Sequence, residues 1–273
     1  MGSSHQRVRR LRRLARKRDL RWREQVCVLE GPDLVAAALE AHAEVEALYV
    51  DRDRWGEGPT ADLVAQAAAR GVAVYGLAPE VVRLAAQSTT PQPVLATVRF
   101  VAADLATTRL DGLVVVLHDV QDPGNAGTVI RSAEAAGACA VILTGHSVDP
   151  YNPKTLRATT GAIFRLPVIV ADIDDVLARL RGDHVPTWAT VVRDGQDLLA
   201  ADLRGAIAIV IGSEAAGLDA SVVERCDARL TITMAAGESL NAGVAASLIA
   251  FVARWQSQGQ IGPSAPPSLE RHD

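Results

Sequence analysis

A chain of 273 residues with 49% hydrophobic content is long enough to bury one large core or two modest ones. Its longest uncharged apolar stretch, residues 242–253, is too short to cross a bilayer, and no charged-then-apolar leader is legible, so a cytoplasmic protein with no membrane partner is expected. The net charge of −4 hides an asymmetry: residues 1–23 hold ten Arg or Lys and one acid, while the remainder is acidic and should repel polyanions.

Residues 1–25 therefore read as a basic arm, and Arg7, Arg9, Arg10, Arg12, Arg13, Arg16 and Lys17 are the candidate contacts for a polyanion such as RNA. A solvated helical face or a disordered leader would have the same composition. Beyond the arm, short apolar runs alternate with helical patterns, the mark of an α/β chain. Strands are predicted at 26–29, 45–50 and around VAVY (72–75), with helices opening after Glu30-Gly31-Pro32-Asp33, capped by Thr60 and opening at Pro79. The two prolines of 88–93 interrupt, 94–101 is a strand, and 102–111 is the linker out of a domain spanning 26–103.

A second α/β unit begins at Leu113, where VVVL leads into a polar loop from His118 to Gly127 and a helix to about Ala136, stopped by Gly137. Further strands are predicted at 140–143, 167–171, 188–192, 207–211 and 229–233. A closing helix over 241–256 presents Val244, Leu248, Val252 and Trp255 along one face. Residues 257–273 lack periodicity and read as a flexible tail. Cys27, Cys139 and Cys226 form no CxxC pair and stand apart from the histidines, so they are expected as reduced thiols, with no metal site.

Three polar clusters fall at strand-to-helix junctions of the second unit, where open α/β sheets present ligands. In Asp122-Pro123-Gly124-Asn125-Ala126-Gly127, Asn125 is placed to cap a helix and Arg131 to face outward. In IVIGSEAAGL (209–218), glycines allow close backbone approach and Glu214 adds a carboxylate. In the third, Gly237, Ser239 and Asn241 lead into the last helix. Each cluster alone is equally a capped helix or a tight turn. GxSxG, GxGxxG and Walker A patterns are absent, which leaves a hydrolase elbow or a nucleotide-phosphate cradle unsupported.

Taken in order, N-x-G-x-x-x-R-S-A-x-A-x-G (125–137), G-S-E-x-x-G-L (212–218) and S-L-N-x-x-V-A-x-S (239–247) resemble the three motifs of the SpoU (TrmH-like) RNA 2′-O-ribose methyltransferases. Tyr151-Asn152-Pro153-Lys154, Arg157-Ala158 and residues 161–167 are similar to the segment between the family's first and second motifs. The resemblance spans roughly 107–256. Upstream, Val28-Leu29-Glu30-Gly31 with Leu34-Val35 and Ala38-Leu39 is similar to the ribosomal-protein-like RNA-binding domain that many members carry.

The resemblance implies a small N-terminal α/β RNA-binding domain and a C-terminal α/β methyltransferase domain with a deep trefoil knot, an exception to the usual absence of knots. It implies a homodimer, S-adenosylmethionine as cofactor, and transfer to a ribose hydroxyl of structured RNA. Large-subunit (23S) ribosomal RNA is favoured over transfer RNA, with antibiotic-resistance methylation among the purposes. By position, Leu143, Thr144, Gly145, Gly212, Ile232, Met234, Ser239 and Leu240 would line the cofactor pocket, and Asn125, Arg131, Glu214 and Asn241 would be the catalytic set. A guanidinium stays protonated near neutrality, so Arg131 is expected to clamp a phosphate and the developing alkoxide, oriented by Asn125 and Glu214. A non-catalytic RNA-binding protein of the same fold is the rival reading. A small-molecule methyltransferase is another, although it would leave the basic arm without a use.

Overall fold

The computed structural model describes residues 5–86, 88–100, 102–235 and 239–263. Gly237 of the third cluster and residues 264–273 of the expected tail lie outside the described residues. The chain forms two compact units: Met1–Ala102 with Asp122–Arg131 and Val148–Arg165, and Ala103–Gln121 with Ser132–Ser147 and Leu166–Asp273.

The first unit opens with α1 (Gln6–Arg16), α2 (Arg18–Glu24), β1 (Val26–Glu30), α3 (Pro32–Glu40), β2 (Glu44–Asp51), α4 (Gly58–Ala69), β3 (Ala73–Leu77), α5 (Pro79–Ala85) and β4 (Val94–Arg99). The sheet order is β1-β4-β2-β3, with β4 antiparallel to both neighbours and β2 parallel to β3. Val8, Leu11, Leu14 and Ala15 recur at helical spacing on α1 and are buried, whereas Arg7, Arg9, Arg13 and Arg16 are exposed. That apolar stripe joins Leu20, Val26, Tyr49, Leu77, Val81 and Leu95 in one core, so the stretch read as an arm is folded onto the sheet. Thr60, expected as a helix cap, lies inside α4 and is buried. Pro59 in the first turn starts that helix three residues earlier, with Glu57 at the cap position, because its fixed φ and missing N–H suit a helix entrance.

Onward, the chain forms β5 (Leu113–His118), α6 (Pro123–Ala135), β6 (Ala140–Thr144), α7 (Pro153–Thr159), β7 (Val168–Val170), α8 (Ile173–Gly182), β8 (Thr187–Thr190), β9 (Gln196–Asp197), β10 (Ile207–Ile211), α9 (Ala220–Val223), β11 (Ala228–Thr231) and α10 (Ala242–Ser257). Within the first unit, Arg21 (3% exposed) donates through Nε and Nη2 to Asp149 Oδ2 at 2.9 and 2.5 Å. Arg21 Nη1 reaches Leu14 O at 2.7 Å, and Trp22 Nε1 donates to Asp149 Oδ1 at 3.1 Å. Phe100 and Tyr151 stack beside them, with Trp22 edge-on to both rings. The 148–165 segment is thereby fixed to α2.

The second unit is a seven-stranded, wholly parallel sheet in the order β7-β6-β5-β10-β8-β11-β9. Strands covered on both faces read as continuous apolar runs, and LVVVLH, AVILT and IAIVI are buried throughout. Val116, Ile142, Ile169, Val176, Leu180, Val210 and Val222 form one of its cores. α10 is tied by Ser247 Oγ donating to Ser132 Oγ at 2.7 Å, and by Arg254 Nη1 to Ala136 O at 3.4 Å.

Among the described residues no helix is long and apolar enough to cross a membrane. All three cysteines are free, and burial pushes the Cys27 thiol up to about 12.

Candidate active site

Because β8, β10 and β11 are parallel neighbours, their carboxyl ends meet at one edge of the sheet, and a cavity of about 320 Å³ opens there. Thr190, Val191 and Val192 following β8 form one wall. Gly212 to Gly217 following β10 form the second, Ile232 and Met234 following β11 the third, and Ser239, Leu240 and Ala245 close it.

The Gly212 wall folds back on itself. Ser213 N donates to Gly217 O at 3.1 Å, Gly217 N returns to Ser213 O at 3.0 Å, and Ala216 N donates to Ser213 Oγ at 3.2 Å. A Cβ at position 212 would overlap the Gly217 carbonyl and the Leu218 nitrogen, so only glycine permits this turn. Gly217 is needed for another reason, its φ of 70°. Glu214 is exposed on this wall.

The third wall is anchored by Asp197, whose carboxylate accepts from the Thr233 hydroxyl and from Leu199 N at 2.9 Å. The Thr233 bond is the main cause holding this carboxyl below its usual value. Thr233 lies between Ile232 and Met234, so the bond ties down the stretch of chain that carries both residues of the wall.

Six expected residues thus come together at the cavity: Gly212, Glu214, Ile232, Met234, Ser239 and Leu240. Leu143, Thr144 and Gly145 lie outside its lining, at the end of β6, and are engaged elsewhere. Leu143 and Thr144 are buried, and Thr144 Oγ1 is 2.8 Å from His118 Nδ1. Gly145 turns with φ 62° against Asp119, which accepts from His146 N at 2.6 Å. Asn241 is the N-cap of α10, its Oδ1 accepting from Val244 N at 3.2 Å. Among the described residues, His118, Asp119 and Asp219 bring possible ligand atoms within 4.8 Å of one another, a proximity common among acidic groups that hold no ion.

In the first unit, α6 begins at Pro123 and not after Gly127, so Asn125 is not the helix cap. Asp122 takes that part, its Oδ1 accepting from Asn125 N at 2.8 Å, with Pro123 in the first helical turn. A Cβ at Gly127 would overlap Ala158 of α7 and press on Thr155 O, which explains the glycine two residues after Asn125. Arg131 is exposed, as expected of its position beside the buried Ile130. Of the basic candidates, Arg7, Arg9, Arg13, Arg16 and Lys17 are exposed and Arg12 is half-buried. Arg10 is paired with Glu24 at 2.7 Å and Glu46 at 2.9 Å.

Thr190, Val191, Val192 and Asp197 were missed by sequence reasoning. The end of the predicted strand at 188–192 was the available signal for the first three, and Asp197 offered none.

Residues 112–251 match the SpoU rRNA Methylase family, and residues 5–96 match the MRM3-like substrate binding domain. A 23S rRNA (guanosine(2553)-2′-O)-methyltransferase, RlmP of Bacillus subtilis (strain 168), is 30% identical over 92% of this chain and 96% of its own. An rRNA methyltransferase from Sinorhizobium meliloti superimposes with a TM-score of 0.82 at 29% identity, over 93% of this chain and 95% of that one. The SpoU methyltransferase AviRb from Streptomyces viridochromogenes, solved in complex with AdoMet, also gives 0.82 at 28% identity, over 93% and 100% of the two chains. The chain belongs to the SpoU rRNA methylase family.

Proposed function

We propose that this protein transfers a methyl group from S-adenosylmethionine to a ribose 2′-hydroxyl of 23S ribosomal RNA. The observation that carries the reading is the cavity at the carboxyl ends of β8, β10 and β11, walled by residues of the second and third family motifs. Its volume of about 320 Å³ lies within the roughly 300–1,000 Å³ of ligand pockets. Apolar walls (Ile211, Leu230, Ile232, Leu240, Ile249) suit a purine ring, and the polar backbone of the Gly212–Gly217 turn suits a nucleoside's hydroxyls. Gly212, Ile232, Met234, Ser239 and Leu240 would hold the cofactor.

Bound there, S-adenosylmethionine supplies an electrophilic methyl group on a sulfonium. The chain's own residues then have to position the acceptor oxygen and stabilise its charge as the proton leaves. Arg131 is assigned to grip the target phosphate and the developing alkoxide, a bidentate part that a planar guanidinium fills better than an ammonium. Glu214 shapes the cofactor wall, Asn125 belongs to the turn that starts α6, and Asn241 sets the start of α10.

A methyltransferase domain near 107–256 with a trefoil knot, a cytoplasmic location and a homodimer accompany this reading, while the first domain takes in α1 and α2 and does not start at residue 26. Val244, Leu248 and Trp255 support the dimer: they are 53%, 39% and 39% exposed along one face of α10, a stripe suited to a second copy.

The test is tritium transfer from labelled cofactor to 23S RNA prepared from cells lacking the gene, followed by mapping of ribose methylation. Label at a single ribose is expected. Failure to bind S-adenosylmethionine would favour the non-catalytic RNA-binding reading, and label on small acceptors alone would favour a different enzyme.

A further inference from the structure

A second cavity among the described residues is larger than the one assigned to the cofactor. A groove of about 780 Å³ lies in the first unit, with Arg7, Arg9, Arg10 and Arg13 of α1 along one side and Tyr49 and Tyr75 of β2 and β3 on its floor. Its two acids are already neutralised. Arg10 holds Glu24 and Glu46, and Arg99 Nη2 takes the other oxygen of Glu46 at 2.9 Å. Arg10 is therefore a pin of the fold, and Arg7, Arg9 and Arg13 remain as excess positive charge.

Arg9 and Arg13 are exposed one helical turn apart and make no ion pair among the described residues. Such a pair presents two guanidinium groups on one face, with about 5–6 Å between their Cβ atoms. The floor adds a second kind of recognition. Tyr49, 3% exposed, backs the partly buried Tyr75 with ring centroids 5.7 Å apart, and the Arg7 guanidinium lies 4.9 Å over the Tyr75 ring. A half-buried tyrosine with an exposed guanidinium over its ring brings a flat π surface and a flat cation to one point, and either group stacks on a nucleobase once the base slides between them or takes the outer face of the guanidinium.

We propose that this groove binds an unstacked nucleotide of single-stranded RNA, with the base on Tyr75 and Arg7 and the flanking phosphates on Arg9 and Arg13. The proposal rests on the reading of the chain as an RNA-modifying enzyme and assigns the part of the substrate that this face contacts. A paired A-form helix keeps its bases stacked and would leave the tyrosine floor unused, so a loop, bulge or free strand is the matching ligand. An acidic peptide would satisfy the arginines and equally leave the floor unused.

The experiment uses the full-length protein and a short unstructured oligoribonucleotide carrying 2-aminopurine, whose fluorescence falls when it stacks. Binding should quench the probe. Tyr75→Leu should abolish quenching and weaken binding roughly 5- to 150-fold, the range of one lost base stack, while Tyr75→Phe keeps both. The double variant Arg9→Gln, Arg13→Gln alters only exposed positions and keeps the test valid should Tyr75→Leu misfold. It should flatten the dependence of log affinity on log salt by about 1.4, or about 0.7 per lost contact on a single strand.

Unchanged quenching and an unchanged slope, in a protein that still binds RNA, would overturn the groove and leave the enzymatic reading standing. Displacement of the probe by oligoglutamate at equal charge would also overturn it, showing a general anion surface. A wild-type protein that binds neither the oligonucleotide nor a 23S RNA fragment would overturn both readings.

Discussion

Gly212→Ala adds one methyl group and should cost much of the cofactor affinity. The new Cβ would meet the Gly217 carbonyl and the Leu218 nitrogen, both backbone atoms that cannot rotate away as a side chain would. Relief requires opening the Ser213–Gly217 pairing, whose two hydrogen bonds of 3.1 and 3.0 Å contribute about 1 kcal/mol net apiece. Opening the turn thus costs about 2 kcal/mol, and a state needed for binding that becomes this much rarer raises the apparent Kd about 30-fold. Gly217 gives the contrast, because a Cβ there meets nothing within 4 Å and only the φ of 70° is penalised. Gly217→Ala should cost roughly 1–2 kcal/mol, and Gly217→Asn less, since asparagine tolerates the left-handed region. Gly212→Asn should show no such recovery. Titration calorimetry with S-adenosylmethionine on the four variants, beside their melting curves, separates the two causes. A Gly212→Ala protein that binds within twofold of the parent would refute both the steric argument and the place of the pocket.

Arg131→Ala should lower methyl transfer by about 100-fold or more at near-normal cofactor affinity, and Arg131→Lys should remain severe because a point charge lacks the planar fork. Half-normal turnover in either variant would remove Arg131 from the chemistry. Asp197→Ala should weaken cofactor binding a few-fold by freeing the wall that carries Ile232 and Met234. Its carboxyl is depressed below the ordinary 3.8, so its contribution is complete above that value and is lost only as pH falls through the lowered one. The deficit measured by calorimetry should accordingly be equal at pH 5 and pH 8, and a deficit that grows between them would count against this role. Arg21→Met strands Asp149, 5% exposed, with two N–H donors and no cation, and should destabilise the fold by about 3 kcal/mol in chemical denaturation. A loss under about 1 kcal/mol would show the pair to be dispensable.

Local structure was legible wherever one signal dominated. The apolar runs of β1, β5, β6 and β10 and the capped, striped α10 appear close to their expected limits. In α1 two signals competed. Arginine content argued for a solvated arm, while Val8, Leu11, Leu14 and Ala15 spelled out a buried face at helical spacing, and burial of that face decides the outcome. At the start of α6 the sequence put forward Asn125 as the cap, and the structure uses Asp122, because a proline at position 123, tolerated in the first turn, places the cap at the residue before it. Cavity residues supplied by the second and third motifs were legible because their glycines and polar residues stand in fixed order. Leu143, Thr144 and Gly145 were assigned by the same resemblance but adjoin β5, and the cavity's three strands are β10, β8 and β11.

Strand order explains why no local pattern could have placed the cavity. The chain builds β5, β6 and β7 outward in sequence, then crosses to the far side of β5 to lay down β8 and β9, and only afterwards inserts β10 between β5 and β8. Insertion makes β10 a central strand with a parallel partner on each side, so the segment leaving its carboxyl end emerges between segments already in place. A loose loop there would obstruct its neighbours, whereas the turn that begins at Gly212 reverses within Ser213–Gly217 and leaves room for the Thr190–Val192 wall beside it. The glycine that reads in sequence as a ligand contact is thus required first by the turn's own backbone, whose atoms at Gly217 and Leu218 would meet any Cβ at position 212. Its contribution to binding follows from the shape that this turn imposes.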